Sequence, residues 1–182
     1  QNGDGVINDA DRVVLGDSFP DFQWSFGNTF TYKDFDLYVF FEGVQGVDML
    51  NGNLIDSYFP IDFRRNKFAE PYLNRWTPEN PTNQYPSFTD PLKLGRKVVN
   101  SRTLSDASYV RLKTIRLSYR LPKFSSLIQS LQLYVTAENL FTITDYVGLD
   151  PAINPNNDSN FRMDFNSYPS ARTFIFGAKI DF

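Results

Sequence analysis

Five stretches of this sequence alternate apolar with small or polar residues at every second position, and that two-residue period constrains the fold more than any other feature. The clearest stretch is FQWSFGNTFTY, where Phe22, Trp24, Phe26, Phe30 and Tyr32 share one face and Gln23, Ser25, Gly27, Thr29 and Thr31 share the other. Lys33 and Asp34 then make a two-residue connection, and Phe35 to Val44 reads as the antiparallel return strand of a hairpin. Phe35, Leu37, Val39 and Phe41 oppose Asp36, Tyr38, Phe40 and Glu42, so aromatics on both faces leave the outward side open. In Ser108 to Pro122, Ile115, Leu117, Tyr119 and Leu121 oppose Thr114, Arg116, Ser118 and Arg120. Val110 and Leu112 break that parity, which predicts either a bulge or an end rising above the apolar zone. Leu131, Leu133, Val135, Ala137 and Phe141 oppose Gln132, Tyr134, Thr136 and Glu138. The final run, YPSARTFIFGAKIDF, keeps Phe174, Phe176, Ala178, Ile180 and Phe182 on one face through to the last residue.

The connections between these stretches alternate in length. Lys33 to Asp34 and Pro122 to Ser130 are short, whereas about 45–107 and about 142–171 are long and rich in Asn, Asp and Pro. Short turns at one end, long loops at the other and strands of about ten alternating residues describe a transmembrane β-barrel, although a soluble sandwich shares the alternation. Five strands about 4.8 Å apart make a sheet only about 25 Å wide, and small barrels take about eight strands to close. The expectation is therefore part of a barrel, and the opening QNGDGVINDAD, which starts inside a motif, predicts a piece of a longer protein.

Composition narrows the chemistry. The 182 residues contain no Cys and no His, so disulfides, thiolate nucleophiles and the usual Ser-His or Cys-His arrangements are excluded within the chain. No pair of carboxylates stands out as a glycosidase couple, and the expectation is no enzyme activity. A net charge of −3 with scattered Lys and Arg gives no electrostatic footprint for nucleic acid. Aromatic residues make up 16% of the chain, 18 of them Phe, which favours strands and interfacial girdles. No apolar run reaches the roughly 18 residues of a transmembrane helix.

Residues 1–20 form a separate segment ahead of the strands at 21–182. Within it, NGDGVINDAD resembles a calcium loop of the EF-hand or dockerin type: Asn2, Asp4, the Val6 carbonyl, Asn8 and Asp11 fall at positions three, five, seven, nine and twelve, with Gly5 at the sharp turn. Position one would precede Gln1, and Asp11 is shorter than the usual bidentate Glu. The other reading is a Gly/Asn/Asp turn without an ion. In the first long loop, Tyr58, Phe59, Tyr72 and Trp76, with Phe63 and Phe68, are candidate contacts for a ligand or a lid, or the loop's own small core. Arg64, Arg65 and Arg75 are candidates for an acidic ligand, set against local pairing or solvation. Arg116, Arg120, Glu138, Lys179 and Asp181 fall on the polar face, where pairing with one another or with a plug is the preferred role.

Four stretches carry a family resemblance: LNRWTPENPTNQYP, ASYVRLKTIRLSYRLP, LQLYVTAENLFTITDYVGLDPAIN and YPSARTFIFGAKIDF. In this order and covering essentially the whole chain, they resemble the carboxy-terminal portion of SusC/RagA-type TonB-dependent outer-membrane transporters of Bacteroidetes. The resemblance implies an all-β fold, with this chain supplying the last five strands of a 22-stranded transmembrane barrel that has an amino-terminal plug. It implies long extracellular loops, a periplasmic carboxy terminus and import of oligosaccharides or other nutrients, peptides among them. Implied partners are a SusD-like surface lipoprotein closing over the barrel mouth, TonB acting through the upstream plug, outer-membrane lipid, and the barrel assembly machinery, which would read Phe182 as its recognition signal. The alternative reading is a soluble calcium-stabilised β-sheet binding module.

Overall fold

The computed structural model describes residues 3–6, 8–58, 66–85, 87, 100–122, 127–153 and 162–182. Its strands and helices in chain order are β1 (Phe22–Tyr32), β2 (Phe35–Gln45), β3 (Asp48–Asn51), α1 (Gly52–Tyr58), α2 (Ala69–Leu73), β4 (Leu104–Asp106), β5 (Tyr109–Leu121), β6 (Ser130–Thr144), β7 (Met163–Asp164) and β8 (Thr173–Asp181). A five-stranded antiparallel sheet runs β1-β2-β5-β6-β8, and a second, three-stranded sheet runs β4-β3-β7 at its loop end. The β1–β2 turn is the tight one expected at Lys33 and Asp34, with Lys33 in the left-handed region at φ 52°.

The register resolves the parity break in the third stretch. Along β2 and β5 the pairs Val39↔Ile115 and Phe40↔Thr114 are followed by Phe41↔Leu112, so Lys113 is the extra residue of a bulge. The bulge continues into β6, where Glu138↔Thr114 is followed by Phe141↔Leu112, and Asn139 turns through φ 52°. One unpaired residue in β5 returns Val110 and Leu112 to the side of Ile115, Leu117 and Tyr119. A single face is thereby apolar across all five strands. Trp24 pairs through Gly43 to Val110, Phe26 through Phe41 to Leu112, and Phe30 through Leu37 to Leu117, Val135 and Phe176.

That face is uncovered. Phe26, Phe30, Phe174 and Phe176 are 52%, 56%, 59% and 78% exposed, and among the described residues no second layer packs on them. The chain exposes 12947 Å², against roughly 9,000 Å² expected for a compact monomer of this mass. The opposite face carries Thr31, Asp36, Tyr38, Glu42, Arg116, Arg120, Tyr134, Glu138 and Lys179. Both edge strands, β1 and β8, are paired on one side only within the described residues. Long edges of this kind are templates for further strands.

The connection from Gly46 to Ser108, expected as a long loop, has its own architecture. It carries the short helices α1 and α2, and Asp48–Asn51 is strand β3, paired antiparallel with β4 and parallel with β7. The connection expected at 142–171 likewise starts later, because β6 runs to Thr144, and it contributes β7. Val47, Met49, Ala107, Tyr109 and Tyr146 join Val44 at the top of β2 in a small buried core. This is the main buried apolar cluster described in the chain, and it sits above the sheet rather than against it.

Candidate functional site

Two surfaces carry groups suited to recognition: the loop end, built on the small sheet, and the polar wall of the large sheet. At the loop end, β5 and β6 extend beyond the bulge and bring Arg111 under the turn that follows Tyr146. Arg111 and Asp150 form an ion pair whose side chains are 3% and 4% exposed. Arg111 also donates from Nε to Thr142 Oγ1 at 2.8 Å, while Asp150 accepts the backbone N–H groups of Ala152 at 2.9 Å and Ser170 at 2.8 Å. Burial alone would raise the Asp150 carboxyl. The Ser170 and Ala152 N–H groups and Arg111 outweigh that and hold it below the usual carboxylate value.

A second buried polar set lies beside it. Tyr146 Oη donates to Asp164 Oδ2 at 2.8 Å, and Asn53 Nδ2 donates to Asp164 Oδ1 at 3.3 Å. Burial, followed by the bond and proximity to Asp164, raises the Tyr146 phenol well above its ordinary value. Asn51 reaches the Val147 carbonyl through Nδ2 and accepts the Asn53 N–H at 3.1 Å. These bonds tie the segment after β6 to β3 and β7, so both long connections are held as one unit.

Between α1, α2 and residues 147–149 lies a largely apolar cleft of about 560 Å³, lined by Leu54, Tyr58, Phe68, Val147 and Leu149 with Glu70 among its polar groups. Tyr58 packs edge-on against Phe68 at 5.7 Å and Tyr85 at 6.1 Å. Tyr85 Oη donates to Glu70 at 2.8 Å, and burial together with that carboxylate pushes its phenol up to about 12. Tyr58 thus takes part in the loop's aromatic core and also lines the cleft. Tyr72 and Trp76 lie outside it, 54% and 42% exposed, with Arg75 over the Tyr72 ring at 4.4 Å. Phe59, Phe63, Arg64 and Arg65 lie outside the described residues.

In the amino-terminal segment, Gly3 and Gly5 adopt φ of 89° and 79°. Asp4 Oδ1 accepts the Val6 N–H at 2.7 Å, the Asn8 side chain accepts the Ala10 N–H at 2.7 Å, and Asp11 accepts the Asn8 N–H at 2.9 Å. The last bond, together with the Asn8 side chain accepting from the Asp11 backbone, forms a capping box on a single 3₁₀ turn, Asp9–Asp11. Asn2 lies outside the described residues. Among those described, no three His, Cys, Asp or Glu side chains converge as a metal cluster. Phe182 follows the end of β8 and is 81% exposed.

On the wall of the large sheet, Arg120 pairs with Asp36 at 3.7 Å, Lys113 with Glu42 at 3.4 Å and Lys179 with Asp181 at 3.7 Å. Arg116 lies over the Tyr134 ring at 4.0 Å, and Tyr38 and Phe40 stack at 6.5 Å one strand away. The aromatic members of this wall and the buried pairs at the loop end were not singled out from sequence. Asp150 did fall within a quoted stretch, but nothing local marks Arg111 as its partner 39 residues away.

No family model matches the chain. The TonB-dependent receptor P3 of Formosa agariphila is 36% identical over 190 residues, an alignment spanning 100% of this chain and 18% of that receptor. The TonB-dependent receptor SusC of Bacteroides thetaiotaomicron is 25% identical over 194 residues, spanning 100% of this chain and 17% of its own length. A solved structure of the RagAB peptide importer in a closed-closed state superposes with a TM-score of 0.73 at 26% identity, covering 93% of this chain and 18% of that one. The chain is thus a mostly antiparallel sheet with an exposed apolar face, similar over 100% of its length to TonB-dependent receptors and over 93% to the RagAB importer, whose fold it matches. The chain belongs to the SusC/RagA type of that family and spans about a fifth of the length of the relatives it matches. The soluble calcium-stabilised module finds no support in these likenesses, nor in a sheet whose apolar face has no covering layer among the described residues.

Proposed function

We propose that this segment forms the last five strands of a 22-stranded outer-membrane barrel, in a TonB-dependent importer of oligosaccharides or other nutrients. The observation that carries the reading is the continuous apolar face created by the Lys113 bulge. The eleven residues of β1, rising about 3.3 Å each and tilted by about 40°, cover roughly the 25 Å of an outer-membrane apolar band. Lipid, rather than a second protein layer, would then cover Phe26, Phe30, Phe174 and Phe176.

In this reading the carboxy terminus and the short turns are periplasmic and the loop-end unit with its cleft is extracellular. Tyr58, Phe59, Tyr72 and Trp76 meet cargo or a SusD-like lipoprotein lid, and TonB acts through the upstream plug. Phe182, exposed at the end of β8, serves the barrel assembly machinery. Asp4, Val6, Asn8 and Asp11, with Asn2, are offered as a Ca²⁺ loop; the left-handed glycines suit such a turn, while their present bonds suit a turn without an ion. The relatives are named as receptors and an importer, which fits transport without covalent chemistry. Peptides are a cargo class alongside oligosaccharides because the superposed importer carries them.

An antibody to residues 45–107, applied to outer-membrane and soluble fractions of the native cells, tests the reading. The expected band lies in the outer-membrane fraction at several times the mass of this chain. A soluble band near 21.0 kDa would contradict it.

A further inference from the structure

The polar wall of the large sheet is built around Arg116. Its strand partners are Tyr38 on β2 and Thr136 on β6. Two glycines let aromatic rings lie low against the sheet on either side. A Cβ at Gly177 would run into the Tyr134 ring, and one at Gly27 would lie 3.2 Å from the Phe40 ring. Tyr134 therefore spreads over β8, Tyr38 and Phe40 spread towards β1, and Arg116 stands between these two patches. Its guanidinium carbon lies 4.0 Å from the Tyr134 ring centroid.

Arg116 differs from Lys113, Arg120 and Lys179, the other cations of this wall. Lys113, Arg120 and Lys179 each have a carboxylate partner there. Among the described residues Arg116 has none within ion-pair distance, and its Nε–H is buried without an acceptor. A buried donor left unmet costs more than a made bond contributes, and a charged one more still. Tyr134 covers one side of the guanidinium and its Nε–H is buried, which leaves the two terminal Nη groups to meet a planar acceptor end-on. The matching chemistry is a carboxylate, which the guanidinium fork takes in bidentate geometry. Two carboxylates lie diagonal to Arg116 on the neighbouring strands: Asp36, through Asp36↔Ser118 and Tyr38↔Arg116, pairs with Arg120, and Glu138, through Thr114↔Glu138 and Arg116↔Thr136, makes no ion pair with Arg116.

We propose that Arg116 is a carboxylate-binding position on the inner wall of the barrel, its charge presented between two aromatic patches. The carboxylate comes either from an acidic cargo or from an acidic residue in the upstream part of the same receptor. This rests on the barrel reading, which makes the polar face the inner one.

The test uses the whole receptor in detergent with Arg116→Met, Arg116→Lys and Glu138→Gln, each first checked for heat-modifiable electrophoretic mobility. Retained mobility shows that the barrel has assembled, so any later negative result falls on Arg116 and not on the barrel reading; Arg116→Lys serves if Arg116→Met does not assemble. If the carboxylate belongs to the receptor, Arg116→Met lowers the melting temperature without any cargo and Arg116→Lys restores part of it. If it belongs to cargo, melting is unchanged, but calorimetric binding of galacturonate oligomers or glutamate-containing tripeptides weakens by about tenfold, the scale of one charge-assisted bond. Neutral sugars and amidated tripeptides then bind as before. Unchanged melting with unchanged binding of every probe would overturn the proposal. So would Glu138→Gln reproducing the Arg116→Met effect, because the pairing would then be internal to the wall.

Discussion

The large sheet and the loop-end unit solve the problem of folding in opposite ways. The sheet has backbone ladders on every inner strand and almost no buried apolar residue below its upper rim, because no layer among the described residues packs on its apolar face. The loop-end unit has short strands of two to four residues, yet it buries Val47, Met49, Thr103 and Asp164 almost completely. In the proposed barrel the sheet would depend on what lies outside the chain, on lipid and neighbouring strands. The loop-end unit has its own core and two buried polar sets to hold its shape.

The largest effect that would break this contrast is at Arg111. Removing one partner of a buried pair leaves an uncompensated charge, and Arg111→Met is expected to destabilise the loop-end unit by roughly 3–5 kcal/mol. Hydrogen exchange in the whole receptor should show opening around β3, β7 and residues 147–153, with the barrel strands still protected. Exchange rising equally in all strands would mean the two regions are one cooperative unit.

Next in size is a pair of substitutions on β8. Phe176→Arg on the apolar face is expected to cost about 2–4 kcal/mol near the bilayer midplane, whereas Ile175→Arg on the inner face costs far less. Urea titrations of the assembled receptor in vesicles check the difference, and equal effects would remove the distinction between the faces.

Tyr146→Phe removes the phenol that donates to Asp164 and leaves a buried acceptor partly unmet, an expected cost of about 1–3 kcal/mol confined to the loop-end unit. The two buried sets also give opposite responses to pH. Asp150 has a lowered folded pKa, so its contribution is complete above the unfolded carboxylate value of about 3.9 and is lost as pH falls through the lower folded value. Tyr146 has a raised pKa, so its contribution is complete below the unfolded phenol value of about 10 and is lost as pH rises through the folded value. Limited proteolysis of the loop-end unit should therefore show resistance through neutral pH, with sensitivity appearing at both extremes. Sensitivity at pH 6 would contradict this.

The smallest expected effect is at the bulge. Deleting Lys113 removes the unpaired residue and leaves Leu112 and Val110 on the apolar face, so assembly is expected to survive. Deleting Leu117 moves Arg116 towards the apolar face and should impair assembly. Heat-modifiable mobility distinguishes the two deletions.

The sheet was legible in the sequence because a strand with one apolar face repeats one simple rule at every second residue. Even the exception at Val110 and Leu112 showed in the pattern. Placing the extra residue at Lys113 required the register of β2 and β6, which no local property fixes. The loop-end unit was much less readable. Asn51, Thr103, Asp150 and Asp164 look like solvated loop residues, and their burial follows from partners that are mostly far away in the chain, as with Arg111 and Asp150 or Asn51 and Val147. Strands as short as β7 carry no periodicity of their own. Tyr58 was visible as an aromatic in a polar stretch, but the cleft it lines needs α2 and residues 147–149 brought beside it.

The central claim is that one face of the sheet meets lipid and the other lines the interior. Single cysteines placed in turn from Thr173 to Asp181 of the whole receptor in vesicles, each read against the receptor without the added cysteine, test it most directly; this segment itself contains no Cys. Positions 174, 176, 178 and 180 are expected to react with a lipid-confined maleimide, and positions 173, 175, 177 and 179 with a water-soluble one. Labelling by the water-soluble reagent at all positions, with none by the lipid-confined one, would contradict the barrel-wall account.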